Sequence, residues 1–507
     1  MSVTLPSIDS ADLGARSRVH LEAVVAIASD SDETSDSIPS TDGQKVLAAW
    51  LEHFYRGVGC VVERDDFANI IATLPGRGAG ASQPPIALMV HLDTARGTAA
   101  LPNLDCERAW DGGPLTFSAN PALSVSQETY PAVAPFVGQD VLHGPGDAPF
   151  GLDDKLGLSH LMTLAWLLGQ EPCDHPPICF VGRPDEEIGR MEAVEGLASE
   201  LAERGVSTGW TVDGIWPFEV NVENFNAAQG SLAFDSPPSL RATATWTLHL
   251  GGVNTHGATA AAEGHRSATR LAAEIAGRLD PAVTEAQGFE SDALRDCDAL
   301  VVFGTIGDGA DLRQAVDAVV TPHLPRGASW SLEPGGDPGV GADAMLRFVR
   351  NFLASEPGFP LAAEDSSGRQ GYSHPFRARP EGLGLRLDVR LRDFDGAGLE
   401  AREQHLRDLA GNRLVDLHRQ YVNMGPALAE RPELLELPRQ AAGAVGVPIL
   451  VQPIRGGTGV DPFLERGVGV GNLGTGYFAP ESEKELTSVQ LMAQHVRWLY
   501  ALVQCAC

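Results

Sequence analysis

The chain is poor in positive charge and in aromatic residues, and it has no long apolar run. Against 67 acidic side chains stand only 37 Lys and Arg, a formal charge of −30. That balance excludes a nucleic-acid partner, because backbone phosphates would be repelled rather than neutralised. No apolar stretch approaches the roughly 20 residues that cross a bilayer, so no membrane association is expected. The opening Met1-Ser-Val-Thr-Leu-Pro-Ser lacks both the basic and apolar regions of an export signal and an Arg-rich amphipathic pattern. The 7 cysteines are scattered and include no C-x-x-C pair, which speaks against a disulfide framework or a thiolate zinc site and suits a reducing cytoplasm. Cys505 and Cys507 read as part of a frayed tail.

What is present is a strongly patterned chain of 507 residues, 43% of them hydrophobic, long enough for two domains. Residues 1–236 alternate helical and strand patterns, as in an α/β sheet covered by helices. Val46 to Tyr55 reads as an amphipathic helix. Pro85 to Val90 is apolar up to His91, as a parallel strand buried on both faces should be. Leu156 to Leu168 reads as a helix, and Asp153 or Asp154 just before it suits an N-cap. Ile178 to Gly182 and Trp210 to Val212 read as further strands, and ligand sites in open α/β sheets lie at the carboxyl ends of such strands.

From Arg241 the texture changes. The alternation of Ala242 to Leu250, a helical pattern over Ala262 to Leu279 and a second alternating strand at Leu383 to Asp393 predict a smaller α+β lid domain. It spans residues 237–423, inserted into the first domain. Residues 424–507 return to the first domain and end in a helix over Val489 to Leu502. Residues 281–363, dense in Gly, Pro and Asp, fit no standard unit. They read as an insertion that narrows a cleft, builds an oligomer contact or runs over the surface; homo-oligomerisation is left open.

The chemistry-bearing residues cluster at strand ends. His91 and Asp93 share a face, so a carboxylate there can steady the imidazole, although a polar turn would look the same. Asp153-Asp154 is either a helix cap or a carboxylate shared between two cations. Asp185-Glu186-Glu187 is a solvated loop, or a site in which one acid binds metal and another moves a proton. Asp213 is a turn residue before Gly214 or a further ligand. An α/β fold would bring all of these loops to one rim.

In order and approximate spacing, His91-Leu-Asp-Thr-Ala, Gly151-Leu-Asp-Asp-Lys, Pro184-Asp-Glu-Glu-Ile-Gly, Thr211-Val-Asp-Gly and Glu223-Asn-Phe-Asn-Ala-Ala resemble the peptidase T family of dinuclear zinc exopeptidases. The likeness continues at Ser35-Asp-Ser-Ile-Pro-Ser-Thr-Asp-Gly-Gln, His256-Gly-Ala-Thr-Ala, Arg392-Asp-Phe-Asp and Pro453-Ile-Arg-Gly-Gly-Thr, and covers residues 20–280 and 364–500. The resemblance implies a zinc-exopeptidase-like catalytic domain with a mostly parallel or mixed sheet. It implies that His91, Asp153 and Asp213 hold one zinc, that Asp153 and Glu187 contribute to a second, that Glu186 is the general base and that Asp93 supports His91. It further implies that His256 reaches the substrate from the lid and that Arg392 anchors it. The implied activity is removal of the N-terminal residue of short peptides in cytoplasmic peptide catabolism, by a hydroxide bridging the two metals. A dipeptidase or amidohydrolase of the same fold, and a catalytically impaired peptide-binding relative, are the alternatives.

One departure bears on the metal. The family's last ligand is a histidine, and Leu473 to Glu485 contains none. Counted back from Glu485, Glu481 takes its place. Asp153, Glu187 and Glu481 would form an all-oxygen set that favours harder ions such as Mn²⁺ over the zinc expected at the first site, with Co²⁺ a further option there.

Overall fold

Apolar runs that end on a single polar residue decide the architecture. Ile86–His91 and Ile178–Arg183 are buried along their whole length, so they lie inside a sheet with both faces covered. The computed structural model describes residues 3–254, 264, 266–291, 297–355 and 371–507. Its largest sheet has eight strands. In chain order they are β1 Val61–Arg64, β2 Ile70–Leu74, β3 Ile86–His91, β4 Ile178–Arg183, β5 Thr208–Val212, β6 Glu219–Asn221, β7 Leu450–Val451 and β8 Gly469–Leu473. They run across the sheet as β1-β2-β4-β3-β5-β8-β6-β7. The inner four, β4, β3, β5 and β8, are mutually parallel, and antiparallel pairings with β2 and β6 flank them. Arg183, His91, Val212 and Leu473 therefore end four adjacent strands on one edge.

Helices clothe this sheet. α1 is Ser10–Val25, α2 Asp42–Gly57, α3 Leu152–Gln170 and α4 Val489–Cys505. α2 turns Leu47, Ala48, Leu51 and Tyr55 inward and packs on β1 and β2. α3 is buried around nearly its whole circumference, as a helix without a polar face must be. It lies against β3 and β5 and beneath α1 and α4. The C-terminal segment is not frayed: α4 runs through Cys505, because Leu499, Leu502 and Val503 in its last turns are buried. Among the described residues no helix is long and apolar enough to cross a membrane.

The chain divides into two units, one of Met1–Ala119, Ser126–Asn224 and Met424–Cys507, the other of Asn120–Val125 and Phe225–Asn423. The second unit holds two four-stranded antiparallel sheets. One is ordered Tyr372–Glu381, Gly384–Asp393, Asn226–Phe234, Leu414–Tyr421, and the other Thr284–Ser291, Asp298–Thr305, Ala244–Gly251, Ser329–Pro334.

The described part of residues 281–363 is built into this second unit. Within them, Asp298–Thr305 and Ser329–Pro334 flank Ala244–Gly251 on either side, and Val301, Phe303, Leu312, Val316, Met345, Val349 and Phe352 are core residues. The Gly, Pro and Asp density comes from connections such as Gly307 to Gly309 and Gly335 to Pro338, where Gly307, Gly309, Gly335 and Gly336 take positive φ.

Glu219, the first residue of β6, is 5% exposed. Burial pushes its carboxyl up to about 7, against hydrogen bonds from Asn221 and Gln452 that favour the charged form. Between the ordinary value of 4.5 and about 7 the folded state binds a proton that the unfolded state has released, so stability falls as pH rises through that window. Glu219→Gln should lack this loss. Its Tm relative to wild type should rise from pH 5 to pH 8, by an amount worth up to about 3 kcal/mol; a pH-independent difference would rule out Glu219 as the source.

Candidate metal centre

Three of the four parallel strands deliver an acidic or imidazole side chain at or just past the carboxyl end, and the longer loop after the fourth, β8, carries Glu481. His91 closes β3 and is buried. Its Nδ1 lies 2.9 Å from the backbone carbonyl oxygen of Asp93, to which it donates in the tautomer that leaves Nε2 as the ligating atom. Nε2 is 3.0 Å from Asp153 Oδ1 and 3.8 Å from Asp213 Oδ2. Asp213 follows β5, its N–H donating to the Leu473 carbonyl at 2.9 Å and its carbonyl accepting from Asn472 at 2.8 Å.

Asp153 opens α3 outside helical geometry, as does Asp154, and the N-cap position falls on Gly151. At Gly151 no side chain caps the helix. Asp154 Oδ2 instead accepts the His91 backbone N–H at 3.2 Å, and Asp153 faces His91 and the hydroxyl of Tyr477, 2.8 Å from its Oδ2.

The three acids after β4 divide their tasks. Asp185, at φ 53°, accepts from the Ser40 N–H and hydroxyl and from Gln44 Nε2, which fastens the segment before α2 to the loop. Glu186 and Glu187 present their backbone N–H groups to Asp93, at 3.0 Å to Oδ1 and 3.1 Å to Oδ2. Asp93 thus steadies His91 chiefly through its carbonyl, with its Oδ1 3.4 Å from Nδ1, while its carboxylate holds the acidic loop. Arg183, 2% exposed, donates to the carbonyls of Gly459 and Thr458 at 2.9 and 2.6 Å and lies 3.5 Å from Glu186 Oε1.

The loop after β8 is held from both sides. Thr475 donates through its N–H and hydroxyl to the Gly214 carbonyl, and Tyr477 N–H to that of Ile215. The buried carboxylate of Glu485 accepts the Glu481 N–H at 3.0 Å on one oxygen and those of Phe150, Gly151 and Leu152 at 2.9, 2.9 and 3.3 Å on the other. Glu485 therefore links the loop carrying Glu481 to the one entering Asp153, and burial pushes it up to about 7 despite those donors.

Two groups of ligand atoms result, His91 with Asp153 and Asp213, and Asp153 with Glu187 and Glu481, each within 4.8 Å of one another. Burial raises the pKa of Glu187, and the charge of Glu481 adds to it; burial and the charge of Asp153 do the same to Asp213. Burial opposes charging of His91, but hydrogen bonds to Asp153 and Asp93 outweigh it and hold its pKa well above the ordinary value. Burial also raises Glu186, against the neighbouring Arg183. Crowded, desolvated carboxylates of this kind are what a bound cation reverses. Glu187 Oε1, buried without a hydrogen-bond partner among the described residues, is the most direct sign that the donor set fits a metal.

The structure thus gathers His91, Asp153, Asp213, Glu187 and Glu481, with Glu186 and Asp93 beside them. His256 lies outside the described residues. Arg392 belongs to the second unit, where its guanidinium donates to the carbonyls of Ala228 and Leu391 and stacks over Tyr421. Arg183, Tyr477 and Asp185 carry no role of their own in the sequence motifs. For Arg183 a signal existed, since a charged residue ending a wholly buried strand next to three acids needs partners.

No family model matches the chain. A protein named peptidase T from Macrococcus caseolyticus is 23% identical over 498 residues, spanning 96% of this chain and 97% of that protein. One from Exiguobacterium sibiricum is 24% identical, spanning 96% of each. The fold is similar to the crystal structure of a tripeptidase from Staphylococcus aureus, with a TM-score of 0.54 and 13% identity over 97% of this chain and 98% of that one.

Proposed function

We propose, from the premise that the chain is a homologue of the peptidase T proteins along nearly its whole length, that it is a metal-dependent aminopeptidase acting on short peptides in the cytoplasm. The observation that carries this reading is the membership of Asp153 in both ligand groups, the arrangement needed to hold two cations side by side. His91, Asp153 and Asp213 would hold one divalent ion, with zinc favoured by the imidazole, and Asp153, Glu187 and Glu481 the other, with Mn²⁺ or Co²⁺ equally suited to its oxygens. Ions held there would supply Lewis acidity, lowering the pKa of water towards about 7 and polarising the scissile carbonyl.

The chain's own residues supply the rest. Glu186 lies next to the ligands without belonging to either group, and its raised pKa suits a carboxylate that takes a proton from water and returns it to the leaving amine. Asp93 holds the backbone of that base through the Glu186 N–H. His256 would stabilise the developing oxyanion and Arg392 would anchor the peptide. Acidic side chains around the site suit a substrate with a free ammonium group.

The test is a substrate panel. Tripeptides with free N-termini should be cut at the first bond, activity should vanish on chelation, and zinc or manganese should restore it. Turnover confined to N-acylated amino acids would replace this reading with an amidohydrolase.

A further inference from the structure

Tyr477 stands in the loop that lacks histidine, and nothing in the mechanism above uses it. Its side chain is 2% exposed and its hydroxyl donates to Asp153 Oδ2 at 2.8 Å, the oxygen not facing His91. The phenol is held firmly. Its own N–H is tied to the Ile215 carbonyl at 3.0 Å, the preceding Thr475 is tied to Gly214, and the Gly476 carbonyl accepts from Thr487 at 2.8 Å. The ring is thereby fixed to the segment that follows Asp213, which supplies the far side of the first ligand group.

We infer that Tyr477 is a positioning residue of the second cation site, its hydroxyl orienting the shared carboxylate of Asp153 so that one oxygen faces each ion. This inference rests on the two-cation reading. A carboxylate that serves two ions must not rotate, and the Tyr477 hydroxyl holds the oxygen that His91 does not face. Hydrogen bonds from outside the ligand shell commonly do this work, and losing one weakens metal binding about 10–100-fold. The need is greatest at the second site. Its donors are all carboxylates, so no imidazole compensates when one turns away, and a hydroxyl donor also disperses negative charge where Glu481 has added it.

The test compares wild type with Tyr477→Phe, each stripped of metal and titrated with Mn²⁺ under equilibrium dialysis. Wild type should take up two ions, and the variant should bind the weaker one about 10–100-fold less tightly, with a smaller loss at the tighter site. In wild type, the second equivalent of Mn²⁺ should perturb the tyrosine ultraviolet absorption, and this signal should be missing from the variant. The wild-type measurement stands even if the variant cannot be isolated folded. Two ions held by Tyr477→Phe with unchanged or tighter affinity, or no tyrosine signal in wild type, would overturn the role of Tyr477 and leave the peptidase reading intact. A wild type that binds no Mn²⁺ or zinc would remove both.

Discussion

Glu186→Gln lowers kcat by ~10²–10⁴-fold, the range for loss of a positioned proton carrier, and leaves the metal content of the protein unchanged. The two halves of this result have separate causes. The Glu186 backbone is held by Asp93 and its carboxylate lies 3.5 Å from Arg183, so an isosteric amide keeps the loop in place. Neither ligand group includes its oxygens, so the ions should stay. Glutamine cannot accept a proton from water at neutral pH, and turnover therefore fails at that step alone. Parallel metal analysis and kinetics check this. Loss of an ion would make Glu186 a ligand, and full activity would mean that the base is elsewhere.

Glu481→Ala removes one ion per chain, and Glu481→His raises zinc-supported turnover relative to manganese-supported turnover. The first change deletes one of three oxygens from the second group, and the second replaces a hard donor with one that suits zinc. The loop should survive both, because the bond that fixes it is made by the Glu481 backbone N–H to Glu485. The position has φ 54°, which costs alanine about what it costs glutamate. Metal counts and activities after reconstitution with each metal give the answer. Two ions and unaltered rates in Glu481→Ala would reduce Glu481 to a loop carboxylate.

Much of this architecture was legible in the sequence because burial on two faces leaves a plain signature. Ile86–His91 and Ile178–Arg183 are apolar until their last residue, and that residue marks the functional edge. What was hidden depended on contacts distant in the chain. Asp153 looks like a helix cap because its local context is one, and contacts such as those with Tyr477, 324 positions away, and His91 face it elsewhere. Asp185, Glu186 and Glu187 are equivalent acids in sequence, and the partners Gln44, Arg183 and Glu481 distinguish them. The strands Thr284–Ser291, Asp298–Thr305 and Ser329–Pro334 were hidden by the turns between them, whose Gly and Pro content outweighed the strand patterns.

The edge of the parallel strands would hold two cations around one shared carboxylate. The most direct test is the number of ions bound per chain by the wild-type protein, measured by mass spectrometry after loading with zinc or manganese and removal of free metal. Two ions per chain are expected; one ion or none would rule out the two-cation site.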